Sequence, residues 1–330
     1  MTGFGLGNLR RTAAAVPAFG TRDVLVRVGA VSLNFKDLLL VDGRLAPNLP
    51  LPFVPTSDAV GEVVAIGAEV TRFKVGDRVL GQVIADWPDG DPPPVLHKRT
   101  LGASLPGVLA THAVFAEDAA VLAPPSLTDA EASTLPIAAL TAWSALVEAE
   151  RPLPGRTVLI EGTGGVALFA LQFAVRFGLK TIVTSRSDQK LEQAKMLGAW
   201  GLINSDREPQ WASAARTLTS GRGVDHVLEL VGGDNVGQAV DALAPDGRLS
   251  IIGQLAGTEL KLPVVPLTRN RIVLAGISVG SRRAFERMNE AIEFLKIKPV
   301  VEAIYPFAEA PAALEHQRRG AFGKIVIGVE

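Results

Sequence analysis

Residues 157–167 read T-V-L-I-E-G-T-G-G-V-A, and the prediction of the fold starts from them. Thr157–Glu161 is a β-branched, apolar run that is typical of a buried strand. Gly162, Gly164 and Ala167 follow in the spacing G-x-G-x-x-A, and apolar residues then recur at helical intervals. A strand, a glycine turn and a helix in this order predict a dinucleotide-binding turn, in which helix N–H groups hold the phosphates. The alternative is an ordinary glycine-rich turn.

Strand-like and helix-like segments alternate after this turn. The predicted strands are Thr157–Glu161, 181–185, Gly201–Asn204, 225–231, 248–253 and 271–277. The predicted helices between them are 166–177, 188–197, 209–218 and 235–243, with a final amphipathic helix at 285–296. Such alternation predicts an α/β fold in which a doubly wound parallel sheet forms a Rossmann domain.

The chain before residue 127 has a different character. Segments 23–30, Asp58–Ile66, 75–80 and 114–122 alternate apolar and polar residues, which predicts antiparallel strands of a barrel-like β domain. Two further strands, 299–305 and 324–329, are expected to return to it. We therefore predict a β domain of 1–126 and 298–330 and a nucleotide-binding domain of 127–297.

Composition excludes several classes of function. A chain of 330 residues favours two domains, and a net charge of −1 gives no indication of a nucleic-acid partner or an anionic membrane surface. The chain has no cysteine, which excludes disulfides, a cysteine nucleophile and a thiolate zinc site. Without a recognisable signal peptide or an apolar segment long enough to span a bilayer, we expect a cytoplasmic protein.

Five stretches together resemble the medium-chain dehydrogenase/reductase superfamily. They are S-L-N-F-K-D-L at 32–38, V-G-D-R-V at 75–79, G-T-G-G-V-A at 162–167, G-R-G-V-D-H-V-L-E at 221–229 and F-G-K-I-V-I at 322–327. The resemblance implies a GroES-like β-barrel catalytic domain, an inserted Rossmann domain and a C-terminal return to the first. Family members usually open with a strand before the segment matching 8–16, which is shortened or missing here.

The resemblance also bears on zinc. Zinc alcohol dehydrogenases of this family carry Cys, His and Cys at the positions that match Asn34, Ser57 and Ile137, and these three are not a zinc ligand set. The four histidines share no ligand spacing, and His226 is expected to be a core histidine within a strand. The chain is therefore placed with the zinc-free, quinone oxidoreductase-like branch, and no metal is expected.

That branch reduces quinones, enones or alkenals with NAD(P)H. A conjugated acceptor accepts hydride at its β carbon and develops charge on a carbonyl oxygen, which a hydrogen-bond donor stabilises. Asn34 and Lys36 are the candidates for this role, and His112 is a candidate proton donor. The alternatives are a turn-capping amide for Asn34, a solvated lysine for Lys36 and protonation by water.

The cofactor prediction rests on the end of the second Rossmann strand. Ser185 stands where NAD-specific folds carry an acidic residue, and Arg186 and Lys190 follow, which favours the 2′-phosphate of NADPH over NADH. The alternative is that these residues cap and solvate the next helix. The other expected cofactor contacts come from the turn, from later strand ends and from matching family positions: Thr141, Gly162, Thr163, Gly164, Gly165, Val166, Val231, Gly253, Gln254, Leu255 and Lys324.

Three functions remain open at this point. The first is a zinc-independent, NADPH-dependent reductase of a conjugated carbonyl or quinone. The second is a metal-free alcohol dehydrogenase, and the third is a non-catalytic NADPH-binding protein. The apolar strand 271–277 at the sheet edge also fits the edge-to-edge homodimer of the family, because an exposed apolar edge otherwise invites aggregation.

Overall fold

The computed structural model describes residues 1–150 and 152–329. Contacts divide the chain into a first unit of Met1–Leu140 with Val279–Glu330 and a second unit of Thr141–Ser278. The sequence-based boundaries instead assign 127–140 and 279–297 to the nucleotide-binding domain.

Thirteen strands and ten α-helices are found in the described part of the chain. The strands are β1 Asp23–Ser32, β2 Asp58–Ile66, β3 Arg78–Gly81, β4 His112–Ala116, β5 Ala120–Leu122, β6 Thr157–Glu161, β7 Lys180–Ser185, β8 Gly201–Asn204, β9 Val224–Glu229, β10 Leu243–Ile251, β11 Val273–Gly276, β12 Val301–Pro306 and β13 Lys324–Gly328. The helices are α1 Phe35–Val41, α2 Asp129–Ala132, α3 Leu140–Trp143, α4 Gly165–Arg176, α5 Asp188–Met196, α6 Trp211–Leu218, α7 Val236–Ala242, α8 Val264–Arg269, α9 Arg282–Leu295 and α10 Ala310–Arg319.

The second unit has the predicted six-stranded sheet. Its strand order is β11-β10-β9-β6-β7-β8, and every neighbouring pair is parallel. The strand order reverses between β6 and β9, which are neighbours in the sheet. From β6 the chain continues through β7 and β8 to one side, and from β9 it continues through β10 and β11 to the other. Ligands of open α/β sheets bind outside the carboxyl ends of the strands at such a switch point.

The first unit is built around a seven-stranded sheet. The antiparallel neighbours β1, β2, β3 and β5 are joined by β13, which pairs antiparallel with β1 and parallel with β12, while β4 also pairs with β1. Apolar side chains of this sheet form a buried core that includes Val26, Val31 and Phe115. These pairings bring β12 and β13 into the sheet of the first unit.

The prediction of one strand at 114–122 is wrong. The chain forms β4, a 3₁₀ turn at Glu117–Ala119 and then β5, and the two strands pair with different neighbours. The reason is Glu117, which is 2% exposed and whose carboxylate accepts hydrogen bonds from the N–H groups of Thr71 and Arg72. A buried carboxylate with specific donors turns the chain where alternation alone predicts a continuous strand.

Two helices were not predicted. α8 lies in a segment interpreted as a loop, and α10 begins with a proline in its first turn and packs Ala313 and Leu314 into a core with Leu38. Within 1–150 and 152–329, no helix has both the length and the apolar character needed to cross a membrane.

Candidate functional site

The glycine turn after β6 has the form that the sequence predicts. Gly162 has a φ of +80°, which favours glycine, and its N–H donates to Thr184 O at 2.8 Å. Gly164 is the N-cap of α4, whose first turn has no side-chain cap. A Cβ added at Gly162 or Gly164 would meet nothing within 4 Å, so the turn presents bare backbone to open space. This is the arrangement that a pyrophosphate requires.

The residues that follow β7 lie at the same end of the sheet as the glycine turn, because β6 and β7 are parallel neighbours. Ser185 ends the strand, and its hydroxyl accepts from Ser187 N at 3.3 Å. Arg186 is exposed, and Lys190 lies in the first turn of α5, where Ser187 caps its N–H. Asp188 is the nearest carboxylate in sequence, but Asn204 and Arg207 already bind its two oxygens. The strand end therefore presents a guanidinium and a hydroxyl.

The segments after β9 and β10 pack against each other. Val231 O accepts from Ala256 N at 2.8 Å, and Gly253 N donates to Glu229 O at 3.1 Å. A Cβ on Gly253 would lie 1.9 Å from Leu230 O, so only glycine allows this approach. Val231, Gly253, Gln254 and Leu255 are thus brought together, and the Leu255 side chain is 58% exposed.

Thr141 and Lys324 are the remaining predicted cofactor contacts. They belong to different units of the chain. Thr141 is buried in α3 and begins the second unit. Lys324 is 3% exposed and lies in the first unit, where its Nζ donates to Leu33 O and to Asn34 Oδ1, both at 2.7 Å. Its described partners are protein groups close to α1.

Asn34 forms the centre of a buried polar cluster in the first unit. Its Nδ2 donates to Asp58 Oδ2 at 2.9 Å, and its backbone N–H donates to Asp37 Oδ2 at 2.7 Å. Asp58 also accepts from Ile137 N at 3.3 Å and lies 3.9 Å from Lys324 Nζ. The amide is thus held from both ends, which goes beyond a turn cap.

Lys36 projects from the first turn of α1 into the same region. Its Nζ donates to Ser57 Oγ at 2.5 Å and to Leu101 O at 2.9 Å, and Ser57 Oγ also donates to Leu101 O at 2.8 Å. Ser57 is fully buried and follows Thr56, which has a positive φ of 71°. A non-glycine residue in this conformation is uncommon and is often found at functional sites. Lys36 is therefore an anchored ammonium rather than a solvated lysine.

Burial and nearby opposite charges shift the pKa values of this cluster in opposite directions. Burial raises the pKa of Asp37 to about 6, although the Lys36 charge opposes the shift. Burial also raises the pKa of Asp58, against the charge of Lys324. Burial lowers the pKa of both ammonium groups, Lys36 and Lys324, against the nearby aspartates. The cluster holds two acids and two bases whose pKa values are drawn toward one another.

His112 and His226 do not belong to the polar cluster around Asn34. His112 opens β4 opposite Arg27, which is paired with exposed Glu62, so its ring lies on the solvent face of the sheet. His226 is buried in β9 and its Nε2 lies 2.8 Å from Ser250 Oγ, which confirms a core histidine; burial lowers its pKa to about 3. His97 was not singled out by the sequence, yet burial and the charge of Lys36 lower its pKa.

Sequence reasoning missed several members of these sites. Asp58 reads as part of an alternating strand, and Ser57 was considered only as a zinc position. The glutamates that end β6 and β9 were read as strand residues. The available signal was an acidic residue inside each apolar run, because a buried charge requires a partner.

Comparisons with known proteins agree with this architecture. Residues 20–125 match the family model of the alcohol dehydrogenase GroES-like domain, and residues 165–296 match the model of zinc-binding dehydrogenases. A zinc-type alcohol dehydrogenase-like protein of Schizosaccharomyces pombe is 40% identical over 316 residues, which cover 93% of this chain and 91% of the relative. The chloroplastic quinone oxidoreductase QR1 of Triphysaria versicolor is 29% identical, with 98% and 95% covered.

A solved structure gives the same result. The crystal structure of a candidate alcohol dehydrogenase from Sinorhizobium meliloti 1021 has a TM-score of 0.91 and 48% identity, and the match covers 95% of this chain and 93% of that one. The predicted combination of a GroES-like and a Rossmann domain is thereby confirmed. The chain belongs to the medium-chain dehydrogenase/reductase superfamily and is an NAD(P)-dependent oxidoreductase of that family.

Proposed function

We propose that the protein is a zinc-independent reductase that uses NADPH to reduce a conjugated carbonyl compound or a quinone. The observation that carries the proposal is the Lys36 ammonium, which is anchored by Ser57 and Leu101 O beside the residues at the zinc-ligand positions of the family. An ammonium with a lowered pKa is a suitable donor to a developing oxyanion.

The residues at the three motif positions do not fit zinc. Asn34 offers an amide that already bridges Asp58 and Lys324, Ser57 offers a hydroxyl bound to Lys36, and Ile137 offers only its backbone N–H. Zinc prefers thiolate, imidazole and carboxylate ligands. A zinc ion at this site would also be repelled by the Lys324 ammonium, whose Nζ lies 3.9 Å from Asp58 Oδ2. Elsewhere in the described chain, no group of three His, Asp or Glu side chains is arranged to hold a metal ion.

The cofactor fits the backbone of the second unit. The open turn at Gly162–Gly164 and the first turn of α4, with Thr163, Gly165 and Val166, would hold the pyrophosphate. The segments at Val231 and Gly253–Leu255 would border the nicotinamide end. When bound, the reduced nicotinamide supplies a hydride.

Lys36 then acts on the substrate oxygen. As the β carbon accepts the hydride, the electron pair of the conjugated bond moves onto the carbonyl oxygen. Lys36 donates a hydrogen bond to that oxygen and can pass it a proton, which solvent replaces. An ammonium has three N–H donors, so its two bonds to the protein do not exhaust it. Asn34 acts through the cluster by binding Asp37 of α1 with its backbone N–H and Asp58 of β2 with its side-chain amide.

The test follows NADPH oxidation at 340 nm with a chelator present, across quinones, enones and matched saturated ketones. Lys36→Met is expected to lower kcat/KM by about 100-fold or more, because general acid catalysis typically contributes 10²–10⁴-fold. NADPH affinity should be unchanged. Lys74→Met, at an exposed lysine of the same unit, is the matched control and should retain full activity. Unchanged turnover by Lys36→Met would remove the proposed role.

NADPH is preferred over NADH in this proposal because Arg186 is exposed at the end of β7 and Asp188 is occupied by Arg207. Arg186→Ala is expected to weaken NADPH binding by about 10-fold or more, since a charge-assisted hydrogen bond contributes about 1.5–3 kcal/mol. NADH binding should change little. Equal affinity of the variant and the wild type for NADPH, measured by fluorescence titration, would contradict the assignment.

A metal-free alcohol dehydrogenase is the second candidate function. The Ser57 hydroxyl lies between Lys36 Nζ and Leu101 O, an arrangement that can pass a proton to or from an alkoxide. Two of the relatives described above carry alcohol dehydrogenase names. Chelator-resistant turnover of saturated ketones or alcohols would favour this candidate, whereas turnover of enones and quinones alone would favour the first.

A homodimer formed through β11 is part of the proposal. This strand ends the six-stranded sheet, and Val273 and Leu274, on its two faces, are 49% and 39% exposed. Pairing with a second copy would cover this edge. Light scattering is expected to give twice the mass of the chain, and a monomer mass would contradict the dimer.

A further inference from the structure

Two glutamates end neighbouring strands at the switch point of the second unit. Glu161 is the last residue of β6 and directly precedes Gly162, and Glu229 is the last residue of β9. The parallel register pairs Ile160 with Leu228, so the glutamates are the next residues side by side. Glu161 is 2% exposed and Glu229 is fully buried. Neither residue has a place in the hydride transfer described above.

The two carboxyl groups hold the loop that follows β9. Glu161 Oε2 accepts from Leu230 N at 3.1 Å, and Glu229 Oε1 accepts from Val231 N at 3.1 Å and from Gly232 N at 2.6 Å. Asn235 Nδ2 donates to Glu161 Oε1 at 2.8 Å and to Glu229 Oε1 at 3.2 Å. Three consecutive backbone N–H groups are thus fixed by two carboxyl groups.

One carboxyl oxygen of the pair lacks a donor. Glu229 Oε2 is buried and accepts no hydrogen bond from the N–H and O–H groups of the described residues. Asn235 Nδ2 bridges the Glu161 and Glu229 carboxyl groups, so the two groups lie close together. A proton on one of the two acids would complete the network, since a protonated carboxyl is a donor and an ionised one only accepts.

Among residues 1–150 and 152–329, no ion pair to either glutamate is found. The groups facing Glu161 are Glu229, the Asn235 amide and Leu230 N. The adjoining strands place neutral residues beside the pair, Thr184 of β7 next to Glu161 and Ile251 of β10 next to Glu229. Burial, followed by the charge of Glu229, raises the pKa of Glu161 well above its ordinary value.

We propose that Glu161 is a positioning residue that shares one proton with Glu229 and thereby holds loop 230–233 in the form that receives the nicotinamide end of the cofactor. This inference rests on the proposed function, because Val231 is one of the proposed cofactor contacts. Loss of the shared proton leaves two carboxylates in contact and adds negative charge directly beneath the phosphate-binding turn. Both effects weaken binding of a dinucleotide.

The experiment compares wild type with Glu161→Gln. The amide keeps an acceptor for Leu230 N and donates permanently to Glu229, so it reproduces the protonated state. Glu290→Gln, at an exposed glutamate of α9, is the matched control. NADPH dissociation constants are measured by fluorescence between about pH 7 and pH 9.5, without substrate. In parallel, infrared titration of the three proteins records the carbonyl stretch of a protonated carboxylic acid.

Wild type and Glu290→Gln are expected to lose affinity by about 5-fold or more as the pH rises, the lower range of typical coupling between sites. Glu161→Gln should bind NADPH with an affinity that hardly changes over this range. The protonated-acid band at pH 7 should be larger in wild type than in Glu161→Gln, and this difference should disappear at high pH.

The outcomes separate this inference from the proposed function. A wild-type protein whose protonated-acid band at pH 7 is no larger than that of Glu161→Gln, or whose pH profile of binding is the same, overturns the shared proton. Failure of all three proteins to bind NADPH at any pH contradicts the proposed function, while the infrared band still tests the proton. Should Glu161→Gln fail to fold, Glu229→Gln provides the same comparison, since its amide can donate to Glu161.

Discussion

The two units of the chain both bury ionisable side chains, and they compensate the charge in different ways. In the first unit, Asp37 and Asp58 share their surroundings with the ammonium groups of Lys36 and Lys324. In the described part of the second unit, Glu161 and Glu229 are accompanied by each other, an amide and backbone N–H groups. Ammonium groups offset the charge of the aspartates, whereas a shared proton is our inference for the glutamates.

This difference in charge compensation predicts which change destabilises each cluster, the loss of a side chain or the loss of a proton. Burial raises the pKa of Asp37 to about 6, where nearby ammonium groups oppose a larger shift. In Glu161 the neighbouring charge has the same sign, so both causes act in one direction. A cluster with counter-ions is sensitive to loss of a side chain, and a like-charged pair is sensitive to loss of a proton.

Lys324→Met should lower the free energy of unfolding more than any other substitution considered below. It removes the cation that binds Asn34 Oδ1 and Leu33 O and leaves Asp58 buried without it. Breaking a buried charge pair in this way typically costs about 3–5 kcal/mol. Urea denaturation followed by a probe in the first unit measures the loss. The control Lys74→Met should cost less than about 0.5 kcal/mol, and an equally small cost for Lys324→Met would mean that the cluster needs no counter-ion.

Asp37→Asn tests the proton balance of the same cluster. Between the ordinary pKa of 3.8 and the folded value of about 6, the folded protein holds a proton that the unfolded chain has released. Raising the pH through this window therefore destabilises the wild type relative to the variant, by about 3 kcal/mol for a shift of this size. The free energy of unfolding at several pH values gives the difference. A constant difference, as expected for the exposed control Asp91→Asn, would show that Asp37 titrates normally.

Asn235→Asp tests the glutamate pair of the second unit. The change keeps Oδ1, which accepts from Trp211 Nε1 at 3.1 Å, but it replaces the side-chain N–H donor that bridges the two glutamates with a carboxylate oxygen. We expect a loss of about 2 kcal/mol, in the range for a buried polar group left without its partner. The loss should grow with pH. Thermal unfolding measures it, with the exposed change Gln189→Glu as control; a cost that is independent of pH would indicate a lost contact only.

Local patterns were sufficient for much of the fold. The strand–turn–helix at 157–167 and the alternation after it predicted the six parallel strands, because hydrophobic period and glycine position act over a few residues. Alternation of apolar and polar residues predicted the β domain, and the resemblance singled out Asn34 and Lys36. The buried clusters were less accessible. Lys324 and Asn34 are 290 residues apart in sequence, and only the register of β13 with β1 brings their ends of the sheet together. Likewise, Glu161 and Glu229 become neighbours through the pairing of β6 with β9, which no local signal encodes.

The discontinuous first unit also has a consequence for synthesis on the ribosome. β1 pairs with β13, and the cation that accompanies Asp58 is carried by Lys324, near the end of the chain. The second unit, Thr141–Ser278, is contiguous and can complete its sheet while the chain is still growing. The β domain must instead leave the Ala30–Ser32 end of β1 without β13, and Asp58 without Lys324, until the last strand emerges. Nascent chains stalled between the two points should therefore bind dinucleotide before they acquire a folded β domain.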